Sequence, residues 1–203
     1  MGTRFAPEHS VCAGTVMKLE DVDKVLSQIR DASGLDEFVI VGSLAALGVA
    51  GAAQPARMTM SMEVDAYPAQ DPGRAPEFSK AFGEDSAFHR DNGFYFDAIS
   101  PALPTLPEGW QSRLIHQVLP SGVKVQFLDP NDCAISKLAR SEPKDREWVS
   151  AGLRSGILSL PTIEYRMRET QFLDAEEQHK ALRSLAEDRA WLETQGPYPT
   201  PKP

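Results

Sequence analysis

Two carboxylates, Glu63 and Asp65, close a stretch in which polar and apolar residues alternate over positions 57–67. Met58, Met60, Met62 and Val64 fall on one side of that pattern, and Thr59, Ser61, Glu63 and Asp65 on the other. Successive side chains of a strand point to opposite faces, so the alternation predicts a strand with one apolar and one polar face. The two acids then stand side by side. Like charges that close repel unless a proton or a cation intervenes. Hard divalent ions such as Mg2+ take oxygen ligands and use one or two carboxylates together with substrate phosphates. An ordinary solvated strand face carries the same pattern, and the spacing alone leaves both readings open. A third acid, Asp97, lies within residues 93–99, where Phe94 and Phe96 alternate with Tyr95, Asp97 and Ile99. A carboxylate in so apolar a strand is costly unless it is paired or bound to metal.

Three further positions offer the opposite charge or an anion site. Gly42 and Ser43 join a short apolar run, residues 38–41, to the small helix-forming run 44–50. A strand, Gly-Ser, helix turn leaves backbone N–H groups free at a helix N-terminus, where phosphate binds well. It is equally an ordinary turn and cap. Asp129-Pro130 opens a helix as N-cap and first-turn proline. That helix carries Ala134, Ile135 and Leu138 inward, with Lys137 on the border of the stripe. Pro143 stops it and starts the next, whose buried stripe is Trp148, Val149, Gly152 and Leu153. Asp145 precedes Trp148 and Val149 by three and four residues, so it points inward and can meet Lys137 across the corner. A first-turn acid favoured by the helix dipole occupies the same position.

The elements that must carry these residues follow from the rest of the pattern. Leu19, Val22, Val25, Leu26 and Ile29 recur at three and four and predict a helix over 18–32, ended by Gly34. Residues 113–119 and 123–128 flank Pro120-Ser121-Gly122 as a hairpin. Residues 68–76 and 101–109 read as loops, and Phe78 and Phe82 mark a short helix on the sheet. Residues 161–169 and 174–194 read as two more helices. The fold class is therefore α/β (α+β), a small sheet flanked by helices with a helical C-terminal half. Residues 1–129 form the α/β core, 130–195 the helical part packed on it, and 196–203 a Pro-rich disordered tail; residues 1–16 read as a loose entry segment.

A net charge of -8 excludes broad, nonspecific nucleic-acid binding. Between 137 and 168, however, seven basic residues face four acids, a local excess of +3. An anionic substrate has to be held there. Cys12 and Cys133 have no metal-ligand spacing, which fits a reducing compartment. His9, His89, His116 and His179 have none either. No signal peptide and no membrane-spanning stretch is visible, so the expected location is the cytoplasm.

Taken together, the strand-Gly42-Ser43-helix unit, the strand with Glu63-x-Asp65 and the later Asp97 resemble the nucleotidyltransferase superfamily typified by DNA polymerase β. The segment 127–140, Phe-Leu-Asp-Pro-Asn-Asp-Cys-Ala-Ile-Ser-Lys-Leu-Ala-Arg, followed by Lys144-Asp145-Arg146, is similar to the bacterial abortive-infection and toxin–antitoxin branch. The resemblance spans about residues 36–165 and implies a small mixed sheet. It implies Glu63, Asp65 and Asp97 as ligands of Mg2+ (or Mn2+), with Asp97 also the base. Gly42, Ser43 and Lys137 would bind the nucleotide phosphates, and Asp145 would orient Lys137. The implied reaction moves NMP from an NTP to a tRNA end or a protein side chain, in a toxin–antitoxin or phage-defence module with a cognate partner. The first acid is Glu63 where the family usually has Asp. A second reading from another class has the same fold acting as a catalytically silent binding partner or antitoxin.

Overall fold

A computed structural model describes residues 15–51 and 54–195 of the chain. Strand β1 (Thr15–Val16) leads into helix α1 (Leu19–Ser33), which buries Val22, Val25, Leu26 and Ile29. The Asp21 carboxylate accepts the Lys18 N–H at 2.9 Å, and Gly34 ends the helix at φ 77°, a left-handed conformation that favours glycine. Strand β2 (Glu37–Ile40) follows, then a 3-10 helix over Gly42–Gly48. Next come the one-turn helix α2 (Ala56–Thr59), strand β3 (Met60–Ser61) and strand β4 (Glu63–Pro68). A 3-10 segment (Pro72–Phe78) runs into the short helices α3 (Ser79–Phe82) and α4 (Ala87–Asn92), and strand β5 (Tyr95–Ala98) completes this half. After a 3-10 turn (Trp110–Arg113), strands β6 (Ile115–Val118) and β7 (Lys124–Phe127) form the expected hairpin. The remainder is helical: α5 (Pro130–Arg140), α6 (Pro143–Ser155), α7 (Leu160–Met167) and α8 (Ala175–Gln195).

Five strands pair in the order β5-β4-β2-β7-β6. The sheet is mixed: β4 with β5 and β2 with β7 run parallel, while β2 with β4 and β6 with β7 run antiparallel. One apolar cluster joins Ile40 and Phe127 of the sheet to Leu26 of α1, Ile135 and Leu138 of α5, Trp148 of α6 and Ala181 of α8. The α/β class with a helical second half is the fold of this chain.

Three local expectations change. The alternating stretch 57–67 is not one strand. Ser61 Oγ accepts the Glu63 N–H and donates to the Glu63 carbonyl, both at 3.0 Å, so the chain bends at Met62 and the sheet strand starts at Glu63. A serine hydroxyl that offers the backbone a local partner competes in this way with a ladder. Upstream, β3 turns to pair with β1, and Thr59 on the polar side of the pattern is buried. The run after Gly42 is a seven-residue 3-10 helix rather than an α-helix. The reading 68–76 as plain loop gives way to a 3-10 segment, and α4 joins the expected short helix at Phe78 and Phe82. The tail 196–203, most of the entry segment, Cys12 and His9 lie outside the described residues.

Candidate functional site

Strands β4 and β5 place the three acids. In their parallel register Asp65 is the direct partner of Asp97, and Glu63 of Tyr95. Period two then puts Glu63, Asp65 and Asp97 on one face, while Val64, Ala66 and Phe96 fill the other. One carboxylate oxygen from each of the three lies within 4.8 Å of the other two. All three side chains are half-buried. Burial, then the charges of Glu63 and Asp97, push the Asp65 carboxyl up to about 7, against a smaller opposite pull from Lys137 and Arg140. Burial, then Glu63 and Glu84, raise Asp97 as well. The cluster therefore lacks a positive charge among its own ligand atoms. Three oxygen donors under mutual repulsion fit a hard divalent cation such as Mg2+ or Mn2+.

Gly42 closes the carboxylate site from behind. Its φ is 66°, and a Cβ there would fall on Asp65 Oδ2 and 2.8 Å from Cγ. Only a residue without a side chain lets β2 approach Asp65 this closely. The Val41 N–H donates to the Asp65 carbonyl at 2.9 Å, and Cys133 Sγ donates to the Gly42 carbonyl at 3.0 Å. Burial pushes the Cys133 thiol up to about 11. It is a buried packing residue.

Helix α5 supplies the cations Lys137 and Arg140, and α6 supplies the acid and the indole that hold them. Lys137 is 4% exposed and sits inside the stripe rather than on its border. Its Nζ lies 3.2 Å from Ser43 Oγ, 3.2 Å from Asp145 Oδ1 and 5.0 Å from the centre of the Trp148 ring. The Trp148 indole N–H in turn donates to the Ser43 carbonyl at 3.1 Å and the Met58 carbonyl at 2.9 Å. Asp145 is fully buried and takes two hydrogen bonds from Arg140, at 2.8 and 2.6 Å. Burial alone would raise the Asp145 carboxyl, but the Arg140 hydrogen bonds and the charges of Lys137 and Arg140 hold it below its ordinary value. Asp145 is thus a permanent anion that orients two cations.

Between carboxylates and cations runs a cleft of ≈ 520 Å³, with Gly42 and Ser43 on its floor and Ile99 and Leu103 on its apolar side. Every expected site residue except Asp145 lines it, and Asp145 stands directly behind Lys137. Gly42 and Ser43 open a short 3-10 helix rather than a long α-helix, and the positive charge beside them is that of Lys137. Sequence reasoning missed Arg140, although it stands one helical turn after Lys137 on the same face. It also missed Tyr95, whose hydroxyl donates to Glu63 Oε1 at 3.0 Å. The cross-strand register that brings the two together has no sequence signature. A second hollow, of ≈ 570 Å³, lies between α2, α6 and α8. Its charges are paired internally: Arg146 with Asp188 and Glu187, Arg57 with Glu147, and Arg154 over Trp191.

No curated protein and no solved structure matches the chain. A family model described as "Nucleotidyltransferase of unknown function (DUF6036)" matches residues 17–196, which takes in both the carboxylate strands and the cation-bearing helices. The chain belongs to this family of nucleotidyltransferases.

Proposed function

We propose that the protein transfers NMP from an NTP to an acceptor hydroxyl, on a tRNA end or a protein side chain, with Mg2+ or Mn2+ held by Glu63, Asp65 and Asp97. The observation that carries this reading is the convergence of those three carboxylates on a cleft whose far wall presents Lys137 beside Ser43. Bound there, a divalent ion would neutralise phosphate charge and orient the reacting groups. The chain's own residues do the rest. Lys137 and Ser43 grip the β- and γ-phosphates, and Arg140 adds charge at the same wall. Asp97 takes the proton of the acceptor hydroxyl as its oxygen attacks the α-phosphorus. The bond to the β-phosphate breaks, and pyrophosphate leaves alongside Lys137. Asp145 keeps the lysine aimed. The similarity of the 127–146 segment to the abortive-infection branch supports placing the protein as the toxin of a two-gene module with a cognate antitoxin.

The test is incubation with each labelled NTP, Mg2+ and either total tRNA or cell lysate. Label should pass to RNA or protein with the wild type and not with Asp65→Ala, while melting shows that both are folded. Nucleotide binding with no transfer for any NTP would leave the fold as a silent binding partner.

A further inference from the structure

Glu63 differs from its two companions in how it is held. Among the described residues, neither Asp65 nor Asp97 takes a side-chain hydrogen bond, whereas Glu63 Oε1 accepts one from the Tyr95 hydroxyl at 3.0 Å. Glu63 is also the residue with the extra methylene, hence one more torsion to fix before its carboxylate reaches the others. Its main chain is already clamped on both sides by Ser61 Oγ. We propose that Tyr95 is a positioning residue for Glu63: its hydroxyl fixes the longer glutamate arm so that this carboxylate stays converged with Asp65 and Asp97. The proposal rests on the metal-site reading above.

The tyrosine is itself built into the fold. It is the register partner of Glu63 across β4 and β5, so the two side chains share a face, and it is 7% exposed. Its ring lies against His89 of α4, with centroids 4.8 Å apart and planes tilted by 57°. His89 is fixed in turn, since its Nδ1 accepts the Asp85 N–H at 3.1 Å. A chain of contacts thus runs from the turn before α4, through an imidazole and a phenol, to one carboxylate of the cluster. In this pair the phenol hydroxyl is the donor and the carboxylate oxygen the acceptor. Partners that orient a ligand in this way typically change metal affinity about 10–100-fold when removed.

The experiment is Mn2+ binding followed by electron paramagnetic resonance, which needs no turnover, on four proteins. These are wild type, Tyr95→Phe, Glu63→Asp and the double variant. Phenylalanine keeps the ring contact with His89, and melting curves establish that each variant is folded. Tyr95→Phe should bind Mn2+ about 10-fold more weakly. In the Glu63→Asp background, whose shorter arm no longer reaches the phenol, the same change should have no further effect. Equal affinity for Tyr95→Phe and wild type overturns the proposal and leaves the metal site standing, as does a full additional loss in the double variant. A wild type that binds no Mn2+ removes the metal reading itself and the proposal with it.

Discussion

At Lys137 and Asp145 the two residues of one ion pair have different burdens. Replacing Lys137 by Ala leaves Asp145 held by both Arg140 hydrogen bonds, so the loss of stability should be only about 1–3 kcal/mol. Turnover should fall by about 100-fold or more, as for other preorganised donors to developing charge. Replacing Asp145 by Ala strands a buried ammonium whose remaining hydrogen-bond partner is Ser43 Oγ, and about 3–5 kcal/mol should be lost. Urea unfolding and turnover per folded molecule, measured for both variants, check the contrast; equal stability losses would contradict it. Asp65 gives a pH prediction of unusual sign. Its folded pKa of about 7 lies above the ordinary 3.8, so between these values the folded protein binds more protons than the unfolded one. Without divalent metal, stability from this residue is therefore present at low pH and lost as pH rises through about 7. Metal-free protein should melt lower at pH 8 than at pH 5, Mg2+ should remove most of the difference, and Asp65→Asn should flatten the profile. A melting temperature that climbs with pH by the same amount in Asp65→Asn and wild type would contradict this. Gly42→Val should abolish Mn2+ binding as well as nucleotide binding, because the new side chain displaces Asp65. Calorimetric titration with Mn2+ alone tests that, and undiminished Mn2+ affinity would show that Asp65 has room to move.

Helices were more legible than strands. The bounds of α1, α5 and α6 follow from apolar periodicity, from Asp129-Pro130 and Pro143, and from terminal Gly34. The 57–67 stretch departs from its pattern over the first half because a regular alternation hides a bend made by one hydroxyl. Glu63 and Asp65 nonetheless share a face, since period two holds from Glu63 onward. What no local pattern carries is register: Asp65 opposite Asp97 and Tyr95 opposite Glu63 are decided by strand pairing across the sheet. Asp132 was invisible for a similar reason. It is fully buried in the first turn of α5, where Arg113 donates to it at 2.8 Å and Arg166 at 2.9 Å. Arg166 also bonds Asp129, so one acid ties α5 to α7 and to the 3-10 turn 110–113. Asp132→Ala should cost about 3–5 kcal/mol by leaving two arginines without it, and should leave Mn2+ affinity unchanged in the molecules that remain folded. Chemical denaturation with and without Mn2+ separates the two effects.

Across the whole molecule, the division at residue 129 separates sequence patterns more than it separates structure. The apolar cluster continues from Phe127 of β7 into Ile135, Trp148 and Ala181 without interruption. A fragment 1–129 should therefore show no cooperative heat-absorption peak, where the full chain shows one; a sharp transition in the fragment would make the first half self-sufficient. The cleft inherits the same dependence, since its carboxylates come from β4 and β5, and Lys137 and Arg140 from α5, held by Asp145 of α6. Considered in order of synthesis, the acids leave the ribosome long before the lysine and arginine that face them. A nascent chain carries only the carboxylate wall of the cleft until α5 has been made. Chains that end before Lys137 therefore carry the three carboxylates without the cations that face them.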